Sequence, residues 1–69
     1  MFKLRKEDED YLLKHVPGIG AIIDSGNKGQ IQDRFYDWMD SNCWDVTGEL
    51  IQPIADEAQV VWDSIRETE

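Results

Sequence analysis

A chain of 69 residues that carries 15 Asp and Glu against 7 Lys and Arg, for a net charge of -8, has room for one small domain spanning residues 1–69. Its single cysteine, Cys43, and single histidine, His15, exclude an intramolecular disulfide and any zinc site built only from those two residue types. With no leader-like start and no long apolar run, the expectation is a soluble, cytoplasmic protein with no membrane span.

Chains this short stabilise a limited core with cross-links, metals, oligomerisation or dense aromatic packing. Trp38, Trp44 and Trp62 point to aromatic packing, each such ring burying roughly 150–250 Å². A homodimer contact is the other route. Charge is unevenly placed. Lys3, Arg5, Lys6 and Lys14 cancel Glu7, Asp8, Glu9 and Asp10, so the negative excess lies downstream, where only Lys28, Arg34 and Arg66 oppose it. That part repels nucleic acid and attracts basic surfaces.

In chain order, residues 7–16 read as a short helix. Its acidic start suits the positive N-terminal end, and Tyr11, Leu12, His15 and Val16 form an apolar-leaning side. Pro17 and Gly18 stop it. Residues 18–29 are glycine-rich around Ala21, Ile22 and Ile23. A helical turn packed by Ile19, Ile22 and Ile23 is favoured over a small hairpin, which is marginal in water without a third strand.

Residues 30–42 give the clearest pattern. Ile31, Phe35, Trp38 and Met39 fall within an arc of about 100°, and Asp33, Asp37 and Asp40 lie within about 60° of one another on the opposite side. Residues 45–67 follow the same design. Ile54, Ala58, Val61, Trp62 and Ile65 make the apolar arc, and Asp56, Asp63 and Glu67 the polar one. Leu50 and Ile51 keep the apolar phase when the helix is extended backward, which predicts one helix capped by Asp45 and kinked at Pro53. The expected fold is therefore all-α: a bundle of three main helices with a Gly-rich connecting segment, a Pro-kinked C-terminal helix and the tryptophans meeting in one core.

Pro17-Gly18-Ile19-Gly20 resembles the core of the helix-hairpin-helix motif, a likeness that implies backbone amides offered to a nucleic-acid phosphate from the start of a helix. It covers four residues. Asp24 stands where the motif has a small residue, Gly26 would cut the second helix, and no basic residue follows before Lys28. A carboxylate beside a phosphate site opposes binding. The expectation is no direct nucleic-acid contact, with a weak motif-like binder as an alternative.

Asp40-Ser41-Asn42-Cys43-Trp44-Asp45 begins like a calcium loop but has Trp44 at the fifth place, Asp45 at the sixth and Ile51 at the twelfth, which removes required ligands and the turn glycine. No metal and no cofactor is expected. Nothing in the spacing joins Cys43 to His15 as nucleophile and base; Cys43 reads as a packed apolar residue and His15 as a partly exposed cap on the core. Carboxylates on a hydrated helix face keep ordinary acidity, so the chain is read as not an enzyme.

The acidic faces remain. Asp33, Asp37 and Asp40 follow at i, i+4 and i+7, rising by about 4.5–6 Å per step, a spacing of the order of phosphates along a nucleic-acid strand. Asp56, Asp63 and Glu67 make a sparser second line. Neighbouring like charges on a helix are mildly destabilising, and a face serving solubility alone would more often interleave lysine. Tyr36 and Val60 lie off the apolar arcs and offer a partner apolar contact. The expected site is thus Asp33, Tyr36, Asp37, Asp40, Asp56, Val60, Asp63 and Glu67, on a non-enzymatic acidic module of nucleic-acid-mimic type. Its partner would be a basic, nucleic-acid-handling protein, which the module inhibits or adapts, in the general character of phage or mobile-element inhibitors. Competing expectations are a structural module that dimerises and uses its charge for solubility, and acidity reflecting a salt-adapted source.

Overall fold

The computed structural model describes residues 2–68. Its first helix, α1 (Lys6–His15), carries Glu7, Asp8 and Glu9 in the first turn and Lys14 and His15 in the last, the charge order that the helix dipole favours. Val16 is extended, as expected before proline, while its N–H still donates to the Leu12 carbonyl at 2.8 Å. Gly18, at φ +76°, turns the chain into α2 (Ile19–Ser25), which Gly26 ends at φ +70°. Within the 18–29 segment residues 19–25 are helical and form no hairpin, while Lys28 and Gly29 already belong to the next helix.

Asn27 caps α3 (Lys28–Asn42) by accepting from the Gln30 N–H at 3.1 Å. The cap starts this helix at Lys28, two residues before the expected start at Gln30.

The chain then departs from the expected kinked helix. Residues 43–51 fold back on themselves: Trp44 and Leu50 form an isolated antiparallel bridge, the Ile51 N–H donates to the Cys43 carbonyl at 2.7 Å, and Gly48 takes φ +82°. Asp45 caps this turn and not a helix. Its carboxylate accepts from the Thr47 and Glu49 N–H groups at 2.8 and 3.0 Å and from the Thr47 hydroxyl at 2.7 Å. The last helix, α4 (Gln52–Glu67), begins only after the turn, so Pro53 sits in the first turn, where a missing N–H costs no helical hydrogen bond. Pro53 starts the helix; it does not kink it.

α2 packs on α1 and α3, and α4 closes the assembly against the same two helices. Leu12, Val16, Ile19, Ile31, Phe35 and Ile65 are fully buried between them, with Leu4, Ala58 and Val61 completing the core. Phe35 is the hub, its ring centroid 6.1 Å from Tyr11, 6.0 Å from Trp38 and 6.1 Å from Trp62. The three tryptophans do not meet. Trp38 and Trp62 flank Phe35 half-buried, while Trp44 stays 48% exposed on the turn. Leu50, which the turn lifts off the core, and Ile54, at the start of α4, were both expected inside and are exposed.

The ends are tied down by polar contacts. Phe2 N–H donates to the Gly26 carbonyl at 3.0 Å, and Lys28 Nζ donates to the Thr68 and Arg66 carbonyls at 2.6 and 3.3 Å, a cation at the C-terminal end of α4. Asp8 is buried and accepts from Ser64 Oγ at 2.6 Å, which in turn accepts from Arg5 Nη1 at 3.2 Å. Removing a donor from a buried acceptor costs about 1–3 kcal/mol.

Two substitutions test this arrangement in urea titrations. Ser64→Ala is expected to lower stability by about 1–3 kcal/mol, since Asp8 then lacks its donor; an unchanged midpoint would show that water replaces the hydroxyl freely. Pro53→Ala is expected to lower stability by less than about 1 kcal/mol through the freer unfolded chain. A gain of about 3 kcal/mol would instead place the proline inside a helix.

Candidate functional site: the outer face of α3 and the α3–α4 groove

Because Ile31, Phe35 and Trp38 face the core, the opposite side of α3 presents Asp33, Asp37 and Asp40 to solvent. Among the described residues none of the three takes part in a hydrogen bond or an ion pair. Arg34, the cation between Asp33 and Asp37 in sequence, is drawn away by the Pro17 carbonyl, to which its Nη2 donates at 2.9 Å. The α4 line differs. Asp56 accepts from Gln52 Nε2 at 2.6 Å, and Asp63 accepts from Gln59 Nε2 at 3.0 Å and pairs with Arg66 at 3.7 Å. Glu67 is exposed and, among the described residues, has no such contact. The two acidic lines therefore differ in character, α3 bearing the unneutralised one.

Tyr36 is 59% exposed with its ring 6.1 Å from Trp62, so it bridges the acidic face of α3 to the seam with α4. There the two helices and the 43–51 turn enclose a groove of about 280 Å³ whose lining includes Tyr36, Asp40, Trp44, Leu50, Gln59 and Trp62. Tyr36 and Asp40 are thus brought together. Val60 is not with them: it is 70% exposed and lines a separate groove of about 480 Å³ between α1 and α4, beside Tyr11, Lys14, His15 and Glu57. Trp44, Leu50 and Gln59 complete the first groove and are absent from the sequence-derived site. Trp44 and Leu50 carried a core signal, and only the backbone turn at Gly48 moves them outward.

Tyr11, Cys43 and Asp45 have shifted acidity. Burial raises the Tyr11 pKa, with Glu57 and then Cys43 adding to the effect. Burial also raises the Cys43 pKa, which keeps the thiol protonated and weakly nucleophilic near neutral pH. His15 is stacked on Tyr11 at 4.5 Å and on Trp38 at 6.0 Å, and no hydrogen bond among the described residues joins it to Cys43. At the Pro17-Gly18 turn the Ile19 N–H is taken by the Val16 carbonyl at 3.4 Å and α2 runs for only 7 residues, a short and partly satisfied helix start. Among the described residues no group of three His, Cys, Asp or Glu is placed to hold a metal ion, and no helix is long and apolar enough to cross a membrane.

Asp45 holds Trp44 and Leu50 in place through the turn it caps. Its pKa is lowered, first by the Thr47 hydroxyl hydrogen bond and then by the Glu49 amide. A lowered folded-state pKa means that the stability this carboxylate contributes is present above its unfolded value, about 3.9, and is lost as the pH falls through the lower folded value. The amide resonances of Thr47 and Glu49 are expected to titrate together with a midpoint below about 3.9. A midpoint at or above it would show that the clasp does not persist in solution.

Comparison with known protein families, curated proteins and solved structures found no match to this chain.

Proposed function

We propose that the chain is an acidic protein-binding module, not an enzyme, that docks on a basic surface through Asp33, Asp37, Asp40 and the neighbouring edge of Tyr36. One observation carries this reading: the three carboxylates of α3 are exposed and take up no hydrogen bond or ion pair among the described residues, while Asp8, Asp45, Asp56 and Asp63 are each engaged within the chain. A helix face that carries like charges at i, i+4 and i+7 opposes its own folding slightly. A cationic partner relieves that repulsion on binding.

The steps of about 4.5–6 Å between successive carboxylates along the helix match, in order of magnitude, the phosphate spacing of a nucleic-acid strand. A groove that normally holds a nucleic-acid backbone presents lysines and arginines at such intervals, and this face would compete for it. The function proposed is inhibition or adaptation of a basic, nucleic-acid-handling protein. Asp56, Asp63 and Glu67 form a weaker flank, since Asp63 already has Arg66 and Asp56 already has Gln52.

Exposed apolar side chains support a second reading, a module that dimerises. Trp44, Leu50 and Val46 lie on the 43–51 turn at 48%, 45% and 104% exposure. The net charge of -8 works against that reading, because two copies of like net charge repel.

The test is capture of proteins from lysate of the source organism on the immobilised chain, washed at graded salt, beside the triple variant Asp33→Asn, Asp37→Asn, Asp40→Asn. The parent chain is expected to retain basic proteins that elute as salt rises, and the variant to lose most of them at salt near 0.15 M, where the Debye length is about 8 Å. Retention of the same proteins with the same salt dependence by the variant would remove the acidic face of α3 from the function.

A further inference from the structure

The α3–α4 groove has a composition that the acidic face alone does not explain. Three aromatic rings, Tyr36, Trp44 and Trp62, line it, two of them about half exposed, and the Asp40 carboxylate stands on its α3 bank without a hydrogen bond or ion pair among the described residues. On the α4 bank, Gln59 donates through Nε2 to Asp63 at 3.0 Å, which leaves its carbonyl oxygen as an unused acceptor among the side-chain contacts of the described residues. Aromatic faces, a carboxylate and an amide oxygen around a space of about 280 Å³ are complementary to one planar cation on an apolar stem.

We propose that this groove takes an arginine side chain from a basic segment of the partner. The inference rests on the reading of the chain as a binder of a basic surface and adds the residue that the surface must supply. A guanidinium is flat, weakly hydrated and rich in donors, so it stacks on aromatic rings and reaches a carboxylate at once, whereas a lysine ammonium is compact and strongly hydrated. Its aliphatic stem covers Leu50 and Met39, which also line the groove.

The chemistry of the lining disfavours other occupants. An apolar side chain would leave the Asp40 carboxylate at the groove without a counter-charge and would make no use of the Gln59 carbonyl oxygen. In a second copy of the chain, Arg5, Arg34 and Arg66 each already have a contact within their own chain. Arg34 is held by Pro17, Arg66 pairs with Asp63, and Arg5 is bonded to Ser64, while the two copies repel through their charge.

The probes are synthetic nona-arginine and nona-lysine peptides, of equal charge, titrated into the full chain at low salt, with binding read by tryptophan fluorescence and by the indole N–H resonances. Nona-arginine is expected to bind about tenfold more tightly than nona-lysine and to shift the Trp44 and Trp62 indole signals. Trp44→Ala and, independently, Tyr36→Ala are expected to bring the two affinities to within about twofold, chiefly by weakening the binding of nona-arginine; far-UV circular dichroism verifies that each variant is folded. Equal affinities for the parent chain, or a preference that survives both variants, would overturn the groove proposal and leave the acidic-face reading standing. Failure of both peptides to bind at low salt would overturn the acidic-face reading itself. Tighter binding when the central arginine is replaced by leucine would assign the groove to an apolar side chain. Self-association of the free chain with matching Trp44 shifts would assign it to a second copy.

Discussion

The burial of one phenylalanine organises this molecule. Phe35 is fully enclosed, and its ring meets Tyr11 from α1, Trp62 from α4 and Trp38 one turn along its own helix, all at about 6 Å between centroids. Each such pair adds about 0.5–1.5 kcal/mol beyond the area it buries. In a small chain whose single cysteine allows no internal disulfide, that aromatic contact ties three helices together where a cross-link otherwise would. It also sets the rotation of α3 about its axis. With Ile31, Phe35 and Trp38 turned inward, Asp33, Asp37 and Asp40 have no direction left but solvent, so the acidic face follows from the aromatic core.

The aspartates do not all do the same work. Those near the chain's turns and helix ends are used for structure: Asp8 receives Ser64 from across the fold, Asp45 gathers the amides of its turn, and Asp63 holds both Gln59 and Arg66. Those on the outer side of α3 have no such work, because the nearest cations are committed elsewhere, Arg34 to Pro17 and Lys28 to the last carbonyls of α4. An excess of negative charge that the fold does not consume is available to a partner, and it lies on α3, a 15-residue helix anchored through its middle by Phe35.

Much of this was legible in the residues, and the failures have physical causes. The amphipathic period of residues 31–39 identified α3 and both of its faces, since the apolar and acidic arcs are wide apart and nothing competes with them. Glycines at 18 and 26 marked α2 because each occurs at a positive φ where other residues are strained. α4 was extended too far back because Leu50 and Ile51 keep the helical phase by coincidence. Periodicity counts directions and ignores hydrogen bonds, and the Asp45 carboxylate with Gly48 offered the backbone a better-satisfied turn. Pro53 then acquires the opposite meaning, a helix starter and not a kink. Asp8 read as a favourable charge at a helix start; its burial depends on Ser64, 56 residues away, and no local pattern reports a contact of that separation. The site shows the same division. Asp33, Asp37, Asp40 and Tyr36 were found from one helix, while Trp44, Leu50 and Gln59 required knowing where the turn and α4 meet it.

The groove therefore has two walls of different origin. Tyr36, Asp40, Gln59 and Trp62 stand on helices pinned to the core through Phe35, and their positions share the stability of the whole fold. Trp44 and Leu50 stand on a turn held by a few backbone contacts and an exposed carboxylate, and a segment of that kind opens locally at a lower free energy than the helices unfold. A binding site with one fixed and one yielding wall admits a side chain without loosening the fold: the helical wall fixes the charge and the ring planes, and the turn closes over the stem. Had residues 45–51 continued α4 as a straight helix, Trp44 and Leu50 would not cross this seam as a bridged turn, and the seam between α3 and α4 would lose its outer wall. The departure from helical periodicity at Asp45 is what gives the acidic face an apolar pocket beside it.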